Sequence, residues 1–133
     1  MADVAPVVRR MLLCEDVRIY PDNSRKVDVF GLLSTIRTVS EGAFPLRASQ
    51  LCVYLELAGG RGAGEARIFV VEADSDNIAF TSAPHQIAFG TDPLAVSGLV
   101  FRIKECIFPR AGLYWVQIRF DDKALAQEPL LLK

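Results

Sequence analysis

The sequence has little of what catalytic and metal-binding sites usually need. Among its 133 residues there are one histidine, one tryptophan and three cysteines. The cysteines, Cys14, Cys52 and Cys106, have no C-x-x-C spacing and lie in apolar runs. We therefore expect buried, reduced thiols rather than a disulfide framework or a zinc site, and we predict no cofactor.

The chain also lacks an excess of charge of either sign and any long hydrophobic run. Its 15 basic residues nearly balance 16 acidic ones, so no net field attracts nucleic acid or anionic lipid. No stretch approaches the roughly 18 apolar residues that span a bilayer. The apolar run after Arg9 and Arg10 ends at Glu15 and is too short for a signal peptide. We expect a cytoplasmic protein with no nucleic-acid or membrane partner.

What the sequence does have is an alternation of apolar and polar side chains with a period of two. It is clearest in residues 51–57, 99–103 and 114–120, which read as half-buried strands. No window of a dozen residues keeps a helical stripe free of Gly and Pro. At most a single helical turn is predicted, around residues 40–44.

Turn-forming residues separate the periodic segments at the spacing typical of a sandwich or barrel. The sequence therefore predicts an all-β fold, an antiparallel Greek-key (immunoglobulin-like) β-sandwich of about eight or nine strands in one domain, residues 1–133. The glycine-rich stretch 59–64 matches no phosphate-binding spacing and precedes a predicted strand, so it is interpreted as a flexible hairpin tip. The turn segments are 21–24, 59–64, 74–77, 91–93 and 121–123.

One local motif refines this architecture. In residues 108–116 a turn ending in Gly112 opens a strand whose second residue after the glycine is Tyr114. This pattern resembles the tyrosine corner of Greek-key sandwiches, in which the phenol bonds back to upstream backbone. Val116 stands where an immunoglobulin domain has a cysteine, which fits a reducing compartment.

Four segments together resemble a family of small uncharacterised bacterial proteins: residues 12–18, 26–33 and 108–114, and the closing Pro129-Leu130. The resemblance spans nearly the whole chain. It implies a bacterial, single-domain β protein. The family has no assigned activity, ligand or partner, so the resemblance transfers no functional residue.

The sequence offers candidates for two kinds of polar site. Asp74, Asp76 and Asp121 could supply oxygen ligands to Ca²⁺ if their loops converge, although Asp residues are also common in turns. For catalysis, His85 lacks a nucleophile elbow, and an extended backbone would direct it away from Ser82. The adjacent carboxylates of residues 15 and 16, Glu15 and Asp16, are interpreted as a turn or bulge and as the first place to look for a site.

Several predicted strands carry large apolar side chains on both faces, whereas a two-layer sandwich buries only one. The outward candidates are Phe30, Phe69 and Trp115, and exposed apolar surface usually marks an interface. We therefore predict a non-enzymatic interaction module of a bacterial cytosol. Its partner would be a second copy of the chain, forming a homodimer, or another bacterial protein. The alternative is a ligand-binding or Ca²⁺-binding sandwich that uses the loop aspartates.

Overall fold

The structure is a computed structural model that describes residues 2–22, 26–38 and 42–133. Every regular element in these ranges is a β-strand, so the predicted all-β fold is confirmed. No helix among the described residues is long and apolar enough to cross a membrane. The helical turn predicted around residues 40–44 falls partly outside the described residues, and residues 42–44 contain no helix.

The strands are more numerous than the eight or nine expected. Six of them have at most four residues, too few to show any period in the sequence. In chain order the strands are β1 (Ala2–Val4), β2 (Val7–Ile19), β3 (Val27–Leu32), β4 (Thr35–Ile36), β5 (Leu46–Ala48), β6 (Leu51–Ala58), β7 (Arg61–Glu72), β8 (Ile78–Thr81), β9 (His85–Ala88), β10 (Val96–Ile103), β11 (Cys106–Phe108), β12 (Gly112–Phe120) and β13 (Lys123–Leu132).

Two sheets contain most of these strands. The larger has the order β1-β7-β12-β13-β4, with β8 and β9 also paired to β7. The smaller has the order β10-β6-β2-β3. A separate pair is formed by β5 and β11. Pairing in the described strands is antiparallel apart from that of β4, which runs parallel to β13.

One hydrophobic core joins the two sheets. Alternate residues of β6, such as Val53 and Leu55, pack in the same cluster as alternate residues of β12, such as Val116 and Ile118. All four are fully buried. Two sheets that share one core through their inward-facing side chains form a sandwich-like arrangement.

The glycine-rich stretch is not wholly the flexible hairpin tip that we expected, because β7 already begins at Arg61. Only Gly59 and Gly60 connect β6 to β7. Gly64 is buried within β7, and a side chain there would collide with the Phe120 ring, whose Cζ lies 2.5 Å from the position a Cβ would take. Part of the glycine content therefore serves close packing rather than chain reversal.

The predicted tyrosine hydrogen bond is confirmed. The hydroxyl of Tyr114 donates to the carbonyl oxygen of Arg110 at 2.6 Å and accepts from the Arg110 N–H at 3.3 Å. The ring packs edge-on against Phe108 at 5.0 Å between centroids. These contacts hold the loop before β12 against the start of that strand.

Candidate functional site

Strand β6 of the four-stranded sheet is buried on both faces, although packing against the larger sheet covers only one. The outward side chains of β6, Cys52 and Tyr54, are each only 5% exposed. Across the ladders Cys14 of β2 lies opposite Cys52, and Val100 of β10 lies opposite Tyr54. These side chains belong to a second, smaller apolar cluster on the outer face of the sheet.

The end of the β2–β3 hairpin covers this cluster. Beyond Cys14, β2 no longer pairs with β6 and continues with β3 as far as Ile19 and Val27. In this extension Val17, Val27 and Val29 pack against the cluster. A hairpin that extends past its sheet must bury its apolar side on something, and here the outer face of β6 and β10 provides the surface.

Arg102 of β10 fastens the hairpin to the sheet. One guanidinium nitrogen donates to the Asp16 carboxylate at 2.8 Å, and the other donates to the Val17 carbonyl at 2.9 Å. The first nitrogen also lies 3.8 Å from the Cys52 sulfur. The two ends of a planar guanidinium thus reach a side chain and the backbone of the same strand.

A groove of about 490 Å³ opens between this hairpin and β10. A volume of this size lies within the usual range for small-ligand pockets, which is about 300–1,000 Å³. Apolar side chains line most of it, Gly98 leaves a gap in the β10 wall, and three charged side chains complete the lining. The lining residues are Arg9, Ile19, Lys26, Val27, Tyr54, Glu56, Val96, Gly98 and Val100.

Tyr54 and Glu56, two polar residues of the groove, are hydrogen-bonded to each other. The Tyr54 hydroxyl donates to Glu56 at 2.7 Å, and Arg10 lies 3.8 Å from the same carboxylate. Burial raises the pKa of Tyr54 to about 12, and the hydrogen bond to Glu56 adds to the rise. The phenol therefore stays protonated near neutral pH and cannot act as a base there.

The nearby thiols are likewise poorly suited to nucleophilic chemistry. Burial is the main cause that raises the pKa of Cys14 to about 11, and burial also raises the pKa of Cys52. Both thiols are free. Because the thiolate is the reactive form, these cysteines act as small apolar side chains, as expected from the sequence.

The structure does not bring the candidate calcium ligands together. Asp121 lies beside the beginning of β7, where its backbone N–H donates to the Glu65 carbonyl. Asp74 and Asp76 follow the other end of β7, beyond Glu72. One ion cannot bridge opposite ends of a strand. Contrary to the sequence-based expectation, the three aspartates therefore do not form one calcium site. Among the described residues, no three His, Cys, Asp or Glu side chains cluster as a metal site.

The three predicted interface residues lie on different surfaces. Phe69 and Trp115 share the outer face of the larger sheet, where the β7–β12 register makes them diagonal neighbours. Phe69 is only 9% exposed, and the Arg119 guanidinium lies 3.9 Å from its ring centroid. Phe30 is half exposed on β3, in the other sheet. A single docking face around all three is therefore not formed.

The remaining polar candidates also differ from their predicted settings. Glu15 and Asp16 lie inside the continuous strand β2 rather than in a turn. Asp16 accepts a hydrogen bond from Arg102, and the Glu15 side chain extends over Gly31 of β3. His85 begins β9 as expected, but its ring stacks on Phe101 at 4.3 Å between centroids.

Sequence reasoning missed the groove. Gly98 was the available signal, because it lies inside the strand β10 rather than in a turn. A glycine inside a strand often marks a bulge or the close approach of a ligand. The covering hairpin could not be predicted from the sequence. Apolar residues on both faces of β6 indicate that the strand is buried, but they do not indicate which segment covers its outer face.

Comparison with known proteins supports the fold and assigns no activity. No curated protein matches the sequence. Among solved structures, the beta-D-glucoside glucohydrolase from Trichoderma reesei is similar, with a TM-score of 0.53 and 12% identity over 100% of this chain and 19% of that one. At that identity the likeness shows the fold alone, and the chain spans less than a fifth of the enzyme. Residues 9–133 match the family of unknown function DUF6941, and the chain belongs to that family.

Proposed function

We propose that the protein is a non-catalytic interaction module whose partner adds a β-strand to the open edge of β10. Strand β10 itself is the observation that carries the proposal. It pairs with β6 without interruption over all 8 residues, and with no other strand in the described part of the chain. Its far edge therefore presents a row of N–H and C=O groups, which is the template that strand-adding partners use.

The edges of β3 and β13 carry features that discourage such pairing. On β3, Gly31 has a φ of 64° and breaks the regular strand. On β13, the ladder shifts next to Ile118, and Pro129 lacks an N–H to donate. By contrast β10 has no bulge and no proline, and Arg102 is its one charged residue. Natural edge strands usually carry protective devices, so a regular edge without them favours use as a docking site.

The polar side chains of the described residues support binding rather than catalysis. The thiols of Cys14 and Cys52 have raised pKa values, and His85 is stacked on Phe101. Nucleophilic catalysis needs an activated group within hydrogen-bond reach of a base. We propose that the partner is another protein or a second copy of the chain, and that the module works in a bacterial cytosol.

A second docking surface is favoured by the outer face of the larger sheet. Trp115 is half-buried there between Val71 of β7 and Pro129 of β13, its opposite residues in the two ladders. On the same face, Leu113 of β12 is 39% exposed, and Ile78, which lies opposite Val71 on β8, is 54% exposed. Exposed aromatic and aliphatic side chains often mark interfaces. Trp115→Arg should weaken association through this surface while leaving association through β10 intact.

The test of the β10 edge uses proline as a probe. Neighbouring residues of an antiparallel edge strand direct their N–H groups to opposite sides. Leu99→Pro and Val100→Pro each remove one backbone N–H. One of the two variants therefore loses a hydrogen bond to β6, and the other loses only an N–H on the open edge, where the proline ring blocks pairing. Thermal melting identifies the variant that keeps its fold. Light scattering after size-exclusion chromatography then measures self-association of that variant and the parent.

If the parent is a monomer, the probe is a displayed library of random peptides of about twelve residues, selected on the parent. We expect the dimer contact or a selected peptide to slow hydrogen exchange of alternate β10 amides. The edge-blocked variant should lose the association. Association that survives the edge block, exchange that slows only elsewhere, or a monomer that selects no peptide would each overturn the proposal.

A further inference from the structure

We infer that the groove over Gly98 receives a large apolar side chain from the extended segment of another protein that pairs with β10, with a carboxylate two residues away on the same face of that segment. This inference rests on the proposed function and specifies the chemistry of the partner. The groove and the open edge lie on the same strand, since Val96, Gly98 and Val100 line the groove and also form part of the edge.

Gly98 has no structural need to be glycine. Its φ is not in the left-handed region, and the β10–β6 ladder passes through it without a bulge. A Cβ at this position would lie 3.6 Å from the Tyr54 hydroxyl oxygen, which is an ordinary van der Waals contact. What the missing side chain does provide is an opening in the wall between the edge of the sheet and the groove.

Strand geometry directs a partner side chain into this opening. On a strand added beside β10, alternate side chains lie on the outer face next to Val96, Gly98 and Val100. The side chain opposite Gly98 meets no neighbour on β10 and can extend across it. It would then contact Tyr54 below and Val27 or Ile19 of the hairpin beyond. These walls are apolar, so a large apolar side chain is the one that gains most from entering.

The charges around the groove favour an acidic residue two positions from that side chain, on the same face of the partner strand. Glu56 already accepts from Tyr54 and lies near Arg10. Arg9 is exposed and makes no salt bridge with any residue that the structure describes. The Lys26 ammonium lies over the Tyr20 ring at the hairpin side of the groove. Arg9 is therefore the cation of the groove lining that a partner carboxylate would pair with.

The first test fills the groove without disturbing the strand. Gly98→Leu places a side chain in the opening, whereas Gly98→Ala adds only the tolerated Cβ and is the matched control. The probe is a synthetic peptide of about nine residues with alternating Thr and Val, a central Phe, and a Glu two residues after the Phe on the same face of the strand. Both variants should melt no lower than the parent, because a strand residue replaces glycine. We expect Gly98→Leu to weaken peptide binding by about tenfold or more and Gly98→Ala to change it little.

Variants of the peptide distinguish binding in the groove from pairing with the edge of β10. Replacing the central Phe by Ala should weaken binding to the parent and abolish the difference between the parent and Gly98→Leu, as expected for one shared contact. Replacing the Glu by Gln should weaken binding to the parent but not to Arg9→Gln. Arg47→Gln, at an exposed position on β5, is the charge control.

The outcomes distinguish the two proposals. If the peptide slows exchange of β10 amides but Gly98→Leu binds it as the parent does, strand addition stands and the groove inference is wrong. If the peptide does not slow hydrogen exchange of the β10 amides, both strand addition and the groove inference are wrong. If 3-phenylpropionate binds in the groove and the peptide does not, the groove serves a small amphipathic acid and the inference is overturned.

Discussion

Tyr114 holds the loop before β12 through a hydroxyl that is shielded from solvent. The residue is 1% exposed, and its hydroxyl both donates to and accepts from the backbone of Arg110. Deleting the hydroxyl keeps the ring contact with Phe108 but leaves the Arg110 groups without their partner. The effect of the substitution therefore measures the hydrogen bonds rather than the packing.

We expect Tyr114→Phe to lower the free energy of unfolding by about 1–2 kcal/mol. Urea denaturation monitored by Trp115 fluorescence measures it. Tyr20→Phe is the control, because the Tyr20 hydroxyl donates to Asp28 on the more accessible end of the hairpin. That variant should lose clearly less stability than Tyr114→Phe, because water can replace the lost partner of an accessible group. Equal losses in the two variants would contradict a structural role for the corner.

At the scale of one residue, sequence reasoning succeeded where the motif is local and failed where placement is remote. Tyr114 and Arg110 are close in the chain, so their contact follows from turn geometry. Asp74 and Asp121 were candidates for one ion because both are in turns. The turns lie at opposite ends of β7, a fact that depends on how β7 and β12 pair.

The β2–β3 hairpin is the element on which the groove depends. It forms one wall, and Arg102 fixes it through Asp16 and the Val17 carbonyl. Its apolar contacts with the second cluster are few compared with those of the main core. Elements with fewer buried apolar contacts open more readily by local unfolding.

We expect Arg102→Ala to increase hydrogen exchange in residues 17–19 and 27–29 while the inner strands keep their protection. The loss of global stability should be about 1 kcal/mol or less, because the guanidinium is partly exposed. Arg102→Lys should not restore protection, since an ammonium cannot reach two acceptors with a planar fork. Lys104→Ala, an exposed position just after β10, is the control. Unchanged exchange in the hairpin would show that the apolar contacts alone hold it.

For the whole molecule, the buried thiols determine how the free energy of unfolding changes as the pH becomes alkaline. Burial raises the pKa of Cys106 to about 12, and the pKa of Cys14 is raised to about 11. In the unfolded chain the thiol pKa is about 8.5. Above that pH the unfolded chain releases protons that the native protein keeps, so the free energy of unfolding falls as pH rises.

The measurement is the urea midpoint at a series of pH values from neutral to about 11. Stability should be flat near neutral pH and decline above about 8.5. Cys106→Ala removes one such group, so its decline over this range should be shallower than that of the parent, whatever the variant loses at neutral pH through its cavity. Parallel curves for the parent and Cys106→Ala would contradict the assignment.

The all-β class, the long strands β6, β10 and β12 and the buried thiols could be predicted from the sequence, because each depends on alternation over a few neighbouring residues. The Greek-key connectivity, the homodimer and the bacterial origin stay predictions. That β10 is an open edge and that the hairpin covers the outer face of β6 is visible in the folded chain alone. Both follow from ladders that join distant parts of the chain, and no local pattern records which strand is left without a neighbour.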